Sequence, residues 1–537
     1  METLEKMTDV MIKEVLNTEM TLLYEDWRPV RIPKDVEPFL AGKVSLKTGE
    51  VLPLLSSGGL DWNYNFANNI NTNRLYFYSL EYCGELATAY EKFGDKQYLE
   101  LAVRIVTSFF DFISEQKNAE KIEKINSTDH AHSIRSRVFI KLLEVLRKTG
   151  CPDEILLKRL VENLYAHACW LYDDNHHAKN NHGVMTDFAL IQTAVKFRKI
   201  EELSTRWLEK SQQRLKTLIL QSFDKDGLNN ENTIGYHRYN LLLYKRIVEY
   251  LEHYGIKSVF TDTAVPIIKK AEEALCYCVR QDGSVPPIGD SPILAKAATS
   301  RNQSRWFKES NFLVIKNDNF YLSLICGPNS RAHKHVDETS ITLRYKEEDI
   351  IVDGGSYNYD RQNPLRKCLE SCRGHSGIYV NYLDGVLSGD YIKNYLSAAG
   401  ITNFVENQEY AEADCFYELL KGKIKAHRYI RVNFPDEIVI IDFVHGDGCD
   451  EFIARQQFLF HPELQIVRRE DDKLDLKGKK VNAQMLHLSP SKLEIFCGEQ
   501  EPIYRGWYSP QNNKAIPAFG VDFIQNQGNE RLFITQL

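Results

Sequence analysis

Apolar residues recur at steps of three and four through the first three hundred positions. In 75–93 (LYFYSLEYCGELATAYEKF), Leu75, Tyr78, Tyr82, Leu86 and Tyr90 fall on one helical face, and Gly94-Asp95 stops the run. The same spacing predicts helices over 97–115, 132–149, 153–172, 185–198, 200–223, 239–254 and 264–279, joined by short Asp/Asn/Gly turns. These segments pair in length but do not repeat in sequence, which argues against a tetratricopeptide-type array. Helical hairpins wound into a toroid or solenoid fit the spacing.

The pattern changes across 294–310 (LAKAATSRNQSRWFKES), a polar stretch without apolar periodicity that reads as a linker. Short β-rich runs follow at 312–316, 320–326, 340–345, 350–352, 377–382, 427–432, 437–443, 452–460 and 492–496, punctuated by Gly, Asn, Asp and Pro. Such runs predict an antiparallel sandwich. Helices first and strands afterwards mean segregated domains. The expected architecture is therefore multidomain, a helical (α/α) domain over 1–300 followed by an antiparallel β-sandwich over 301–537.

Composition narrows the function. The 537 residues carry a net charge of −7, with 43% apolar and 26% charged positions. These are globular values that exclude a mostly disordered chain. No global basic excess supports a dedicated nucleic-acid binder. The strongest apolar run, 438–444, is interrupted by Asp442 and is far from the ~20 residues that span a bilayer. Residues 1–17 mix charges with no apolar h-region, so a cytoplasmic protein is expected. Eleven scattered cysteines read as reduced thiols, and Cys276 and Cys278 stand too close for a CxxC pair.

Four clusters carry candidate chemistry. Residues 175–183 (NHHAKNNHG) pack three histidines and three asparagines just before a predicted helix. A capped loop would use fewer, and a helix start rich in such donors makes an anion site. Residues 226–239 (DGLNNENTIGYHRY) hold a turn and then Tyr236-His237, and in a chain with 28 tyrosines packing is the ordinary reading. In 331–337 (RAHKHVD), His333 and His335 would share one face of a strand, with Asp353 ending the next strand and His375 further on. This set suits either a zinc site, with His375 as third imidazole, or buried, hydrogen-bonded histidines. The fourth cluster, 129–137 (DHAHSIRSR), is a cationic helix start that suits an anionic sugar or exposed capping.

Together the clusters resemble the heparinase II/III-type polysaccharide lyases, a group that includes alginate and hyaluronate/chondroitin lyases. The resemblance runs from 75–93 through Asn180-Asn181-His182-Gly183, Glu231-Asn232-Thr233-Ile234-Gly235-Tyr236-His237 and Ile288-Gly289-Asp290-Ser291. It continues through His333-Lys334-His335-Val336-Asp337 and Val352-Asp353-Gly354-Gly355-Ser356-Tyr357. Thr233 stands where the family usually has Ser, and Lys334 where a small residue is usual.

The resemblance implies an (α/α) toroid followed by the sandwich, and β-elimination from a uronate in an anionic oligo- or polysaccharide, with no nucleic-acid or membrane partner. It implies Asn181 as carboxylate clamp assisted by His182, Tyr236 as acid at the leaving oxygen, and His182 or His333 as base. Asn180, Arg135, His237, Glu231, Arg238, Lys334 and Tyr357 would line the substrate. Lys179 and Arg331 would add positive field. Tyr357 and Tyr359 are candidates for the second tyrosine of some alginate lyases. His335, Asp353 and His375 would hold a divalent metal, a structural zinc, and no organic cofactor is implied. Glycosaminoglycan is the preferred substrate class, ahead of alginate or another bacterial uronate. The rivals are a toroid glycoside hydrolase drawing on Asp61, Asp129, Asp187, Glu231 and Asp290, and a non-catalytic uronate-binding protein.

Overall fold

A computed structural model describes residues 7–68, 70–115, 129–150, 153–330, 332–448, 452–470 and 472–537. The chain forms two compact units, 1–220 with 243–265 and 221–242 with 266–537. Helices dominate up to Cys278 and antiparallel strands follow, the order that the sequence predicts for toroid then sandwich. Among the described residues no helix is long and apolar enough to cross a membrane.

The longer helices among the described residues are α1 (Ile70–Ser79), α2 (Glu81–Phe93), α3 (Lys96–Ser114), α4 (Asp129–Thr149), α5 (Glu154–Tyr172), α6 (Asn181–Lys196), α7 (Glu201–Ser222), α8 (Ile234–His253) and α9 (Val259–Cys278). The predicted 75–93 helix is broken at Leu80, a buried residue with φ 59°. A leucine in the left-handed region is unfavourable on its own. Leu80 is fully buried and joins two helices that both pack on α4, so tertiary packing overrides local preference. Several helices start earlier than the periodicity predicts: α4 at Asp129, α6 at Asn181, α8 at Ile234 and α9 at Val259. Asn181 and Tyr236 therefore lie in first turns, not in loops.

In the helical unit, α4 packs against α1, α2, α5 and α6. Its buried face is not purely apolar: Arg137, Lys141 and Glu144 follow one another at helical spacing and are all buried. Their partners come largely from an extended segment near the N-terminus. Lys141 Nζ donates to Glu25 at 2.6 Å and to Glu91 at 2.5 Å, and Arg137 pairs with Asp26. Lys196 Nζ donates to the Thr18 carbonyl at 2.6 Å and to Glu144 at 2.5 Å, and Arg28 is bidentate on Glu85. Trp27 lies on Gly84, where a Cβ would come within 2.5 Å of the indole, and its Nε1 donates to Thr88 at 3.0 Å. Buried charges persist only when paired, and this segment shares that pairing with Glu91 and Glu144.

The other unit carries three larger sheets. Strands β1 (Arg305–Phe307), β2 (Phe312–Lys316), β3 (Phe320–Ile325), β4 (Ser340–Tyr345) and β5 (Glu348–Ile351) pair consecutively and antiparallel. The further strands are β6 (Ile378–Val380), β7 (Leu396–Glu406), β8 (Tyr410–Leu419), β9 (Ile424–Asn433), β10 (Glu437–Gly446), β11 (Ala454–Leu459), β12 (Gln465–Glu470), β13 (Lys473–Lys477) and β14 (Asn482–His487). They continue with β15 (Lys492–Cys497), β16 (Trp507–Gln511), β17 (Lys514–Pro517), β18 (Phe519–Gln525) and β19 (Glu530–Gln536). An eight-stranded sheet runs β12-β13-β14-β19-β10-β9-β8-β7, and a four-stranded one β15-β18-β11-β6.

Burial alternates along β8, β9 and β10, the pattern of a sheet with one face on the core. Ala411, Ile430 and Ile440 are among the residues pointing inward. One inward pair is ionic: Arg428 and Asp442 face each other in register, joined by bonds of 2.7 and 2.6 Å, with both side chains wholly buried. Arg428 also donates to the Thr339 and Ser376 carbonyls at 2.7 and 3.0 Å, so the pair ties two loop segments to the sheet.

Candidate active site

The strand-rich unit includes the first turns of α8, and there two sequence clusters meet. Asn232 takes φ 59°, and its Nδ2 donates to the Ser330 and Ala332 carbonyls at 2.9 and 2.8 Å. The Asn329 amide returns a bond to Asn232 Oδ1 at 2.9 Å, and Ser330 Oγ donates to the Asn230 carbonyl at 2.7 Å. Thr233 Oγ1 accepts from the Tyr236 amide at 3.1 Å and caps the helix. Gly235 is required by space, since a Cβ would come within 2.4 Å of Ser291 Oγ. The segment with Asp290 thus sits directly on the turn that carries Tyr236.

This zipped arrangement lays His333 over Tyr236. Their rings stack with centroids 3.5 Å apart and planes 16° from parallel. The Tyr236 and Tyr359 hydroxyls share a hydrogen bond of 2.8 Å. His333 Nδ1 lies 3.0 Å from Asp290 Oδ2, and its Nε2 lies 3.7 Å from Glu231 Oε2. Burial above all, then Tyr359, pushes the Tyr236 phenol far up, so it is protonated at neutral pH. Burial and Asp290 raise Tyr359 as well. Burial alone would raise the Asp290 carboxyl, but His335, His333 and Arg366 hold it well below the usual carboxylate range.

The strand expected at 333–335 is absent. His333 sits in a turn with φ 55°, and the two histidines share Asp290 instead of a strand face. His335 Nε2 donates to Asp290 Oδ1 at 2.9 Å, and His375 Nδ1 donates to Asp353 Oδ2 at 2.7 Å. The His335 and His375 rings are 5.3 Å apart. His335 Nδ1 and His375 Nε2 are both buried without a hydrogen-bond partner, which is the donor chemistry zinc takes. Asp353 Oδ1 meanwhile accepts from the Gly289 and Gly355 amides at 3.1 and 3.0 Å. Among the described residues no three His, Cys, Asp or Glu side chains are grouped as a ready metal site.

The helical unit holds the other cluster. Asn180 caps α6, its Oδ1 accepting from the His182 amide at 3.0 Å, and Asn181 follows in the first turn. Gly183 admits no Cβ, which would come within 2.0 Å of the Ala178 carbonyl, so the His-rich loop rides against the helix start. His182 Nδ1 pairs with Asp129 at 2.9 Å, and its ring meets that of His130 edge-on at 5.0 Å. Burial, then His182, pushes His130 down to about 4. Trp170 is stacked between His132 and His176, at 4.0 and 4.1 Å.

Three residues expected on the substrate are corrected. Arg135 is buried, donating to the Tyr78 carbonyl at 2.5 Å and to His167 at 2.9 Å. Lys334 is buried in a pairing with Asp337 and Glu338, so its charge is already neutralised. His237 is buried, its Nδ1 accepting from the Asn229 amide at 3.1 Å and its Nε2 donating to Ala271 at 3.0 Å. Each charge or ring is taken by its own neighbourhood. Arg238 and Tyr357 are half-buried, and Tyr359, not Tyr357, reaches Tyr236. Arg331 lies outside the described residues. Arg366, which binds Asp290, carried no sequence signal beyond the Asn363-Pro364 helix start before it.

Comparison with known proteins gives the family and the fold. A family profile described as "Heparinase II/III N-terminus" matches 49–311, and one described as "Heparinase II/III-like, C-terminal" matches 299–523. The structure resembles heparinase III at 15% identity and TM-score 0.74, covering 90% of this chain and 80% of that one. It also resembles the heparan sulfate lyase HepC from Pedobacter heparinus at 15% identity and TM-score 0.66, covering 98% and 86%. Comparison with curated protein sequences gives no match. With profiles for both halves matched in order, the chain belongs to the heparinase II/III family.

Proposed function

We propose that this polysaccharide lyase cleaves uronic-acid-containing glycosaminoglycans of the heparan type by β-elimination, leaving a 4,5-unsaturated uronate. The observation that carries the reading is the stacked Tyr236–His333 pair with Tyr359 hydrogen-bonded to its phenol. Elimination takes a weakly acidic proton from C5, breaks the C4–O4 bond and returns a proton to O4. His333 takes the C5 proton on Nε2. Tyr236, kept protonated by burial, gives its proton to O4, with Tyr359 beside it to restore that proton. The negative charge that spreads onto the substrate carboxylate needs preorganised donors, each contributing about 3–4 kcal/mol. The family resemblance assigns that clamp to Asn181 with His182.

The heparan preference draws on the solved neighbours, whose names are heparinase III and heparan sulfate lyase. A hydrolase needs two carboxylates poised across the bond, whereas Asp129, Asp187 and Asp290 are each held by a histidine. A zinc ion on His335, Asp353 and His375 belongs to the same proposal as a structural cross-link, and it is supported by the two unpartnered ring nitrogens. The test is ultraviolet absorbance of the unsaturated product with heparosan, heparan sulfate, hyaluronan, chondroitin sulfate and alginate. A rise on heparan-type chains is expected. A rise only on alginate or hyaluronan would move the substrate class, and new reducing ends without absorbance would overturn elimination.

A further inference from the structure

The carboxylate beneath His333 is built in more firmly than packing requires. Asp290 lies on a segment locked at both ends. Gly289 takes φ 57° and donates its amide to Asp353 at 3.1 Å, while Ser291 presses on Gly235. The carboxylate is almost wholly buried, and each of its oxygens is committed. Oδ2 faces His333 Nδ1 at 3.0 Å. Oδ1 takes His335 Nε2 at 2.9 Å and Arg366 Nη1. Arg366 is itself fixed by the Ser356 carbonyl at 3.2 Å and by Glu370 at 3.3 Å, and its guanidinium lies over the Tyr359 ring at 5.7 Å.

An imidazole that donates from Nδ1 has its lone pair on Nε2. We infer that Asp290 is the positioning residue of the reaction: by accepting the Nδ1 proton of His333 it fixes the tautomer that leaves Nε2 as the base. The carboxylate cannot turn away, because Arg366 and His335 hold its other oxygen. Through Arg366 the same carboxylate is linked to Tyr359, so both rings flanking Tyr236 are set from one anchor. Asp290 touches no substrate in this scheme and acts only through His333.

The inference rests on the proposed elimination, and the experiment separates the two. In Asp290→Asn the amide can donate to His333 Nδ1, which moves the ring proton to Nε2 and blocks the base. We expect kcat to fall roughly 100- to 10,000-fold, with KM changing less than about threefold. Long-range proton–nitrogen NMR of histidine-labelled protein, assigned with His333→Ala, should show an Nδ1–H tautomer in the wild type and Nε2–H in Asp290→Asn. Turnover within threefold of wild type in a folded Asp290→Asn would overturn the assignment. So would an Nε2–H tautomer in the wild type, which is readable even if the variant fails to fold. If the wild type gives no unsaturated product on any uronate polymer, the elimination reading falls, and the tautomer still decides whether Asp290 sets His333.

Discussion

The imidazole of His333 lies flat on the phenol of Tyr236, 3.5 Å between centroids, although the two residues are ninety-seven positions apart in the chain. The contact follows from the Asn232 side chain, which bonds to the carbonyls of residues 330 and 332. The turn that leads into α8 is thereby hydrogen-bonded to the segment that leads into His333. In the proposed elimination His333 takes the proton off the carbon and Tyr236 gives one to the neighbouring oxygen, so the stack would hold the two groups of one event face to face.

Tyr236→Phe keeps the stack and removes only the hydroxyl. Turnover should fall by about 10²–10⁴, the usual worth of a positioned acid, while substrate affinity holds. Steady-state kinetics on the best uronate polymer, with binding measured separately by calorimetry, checks this. Combined with His333→Ala, the loss should be far from additive, because the two groups serve one event.

Asn181→Ala should lower kcat by about 10²–10³, as loss of one preorganised donor does, and leave thermal stability within about 1 kcal/mol. The cap of α6 belongs to Asn180, so the helix start survives the change. A melt equal to wild type together with unchanged turnover would remove Asn181 from the machinery.

Arg428→Met should destabilise the strand-rich unit by about 3–5 kcal/mol, because Asp442 is left charged and buried. Replacing both partners with apolar residues should recover much of that loss. Chemical denaturation of the two variants would show it.

Stability should fall as the pH drops through the window between about 6.5 and 4. His487 is stacked on Phe523 at 3.8 Å, and burial lowers its pKa to about 4. The folded state therefore binds fewer protons than the unfolded chain in that window, and each step down in pH favours unfolding, by about 2–3 kcal/mol in all. In His487→Gln this part of the pH dependence of the melting temperature should flatten.

If zinc occupies the His335, Asp353 and His375 set, elemental analysis of purified protein should return about one ion per chain. Chelation should then lower the melting temperature. Metal-free protein with an unaltered melt would remove zinc from the proposal.

Much of the fold was legible because burial writes itself into periodicity. Strands β2 and β4 lie where their apolar runs predict, since both are buried on the core. Strand β7 was missed because its Ser-Ala-Ala-Gly run carries no apolar alternation, and β8 because its first inward positions are Ala411 and Ala413, small residues with weak strand character. The break at Leu80 has no glycine or proline to announce it. At the site, Tyr236 and His333 were visible as motif residues, and the resemblance paired them chemically. The hub beneath them was not visible, since Asp290 earns its role from Arg366 and His335, which only the folded chain brings to it. Arg135, Lys334 and His237 misled for the converse reason: a polar side chain in sequence does not reveal that its partner lies inside the protein.

The segment carrying Thr18, Glu25, Asp26 and Arg28 sits upstream of residue 49, where the family profile begins to match. Yet inside the match buried Arg137 pairs with Asp26, buried Lys141 with Glu25 as well as Glu91, and buried Lys196 reaches the Thr18 carbonyl as well as Glu144. A fragment cut at the edge of the profile would take Asp26 from Arg137, Glu25 from Lys141 and the Thr18 carbonyl from Lys196, leaving Glu91 and Glu144 in place, and the loss of Asp26 beside buried Arg137 should cost several kcal/mol. The part of the chain that similarity makes visible is thus smaller than the part whose side chains neutralise the interior of the helical unit.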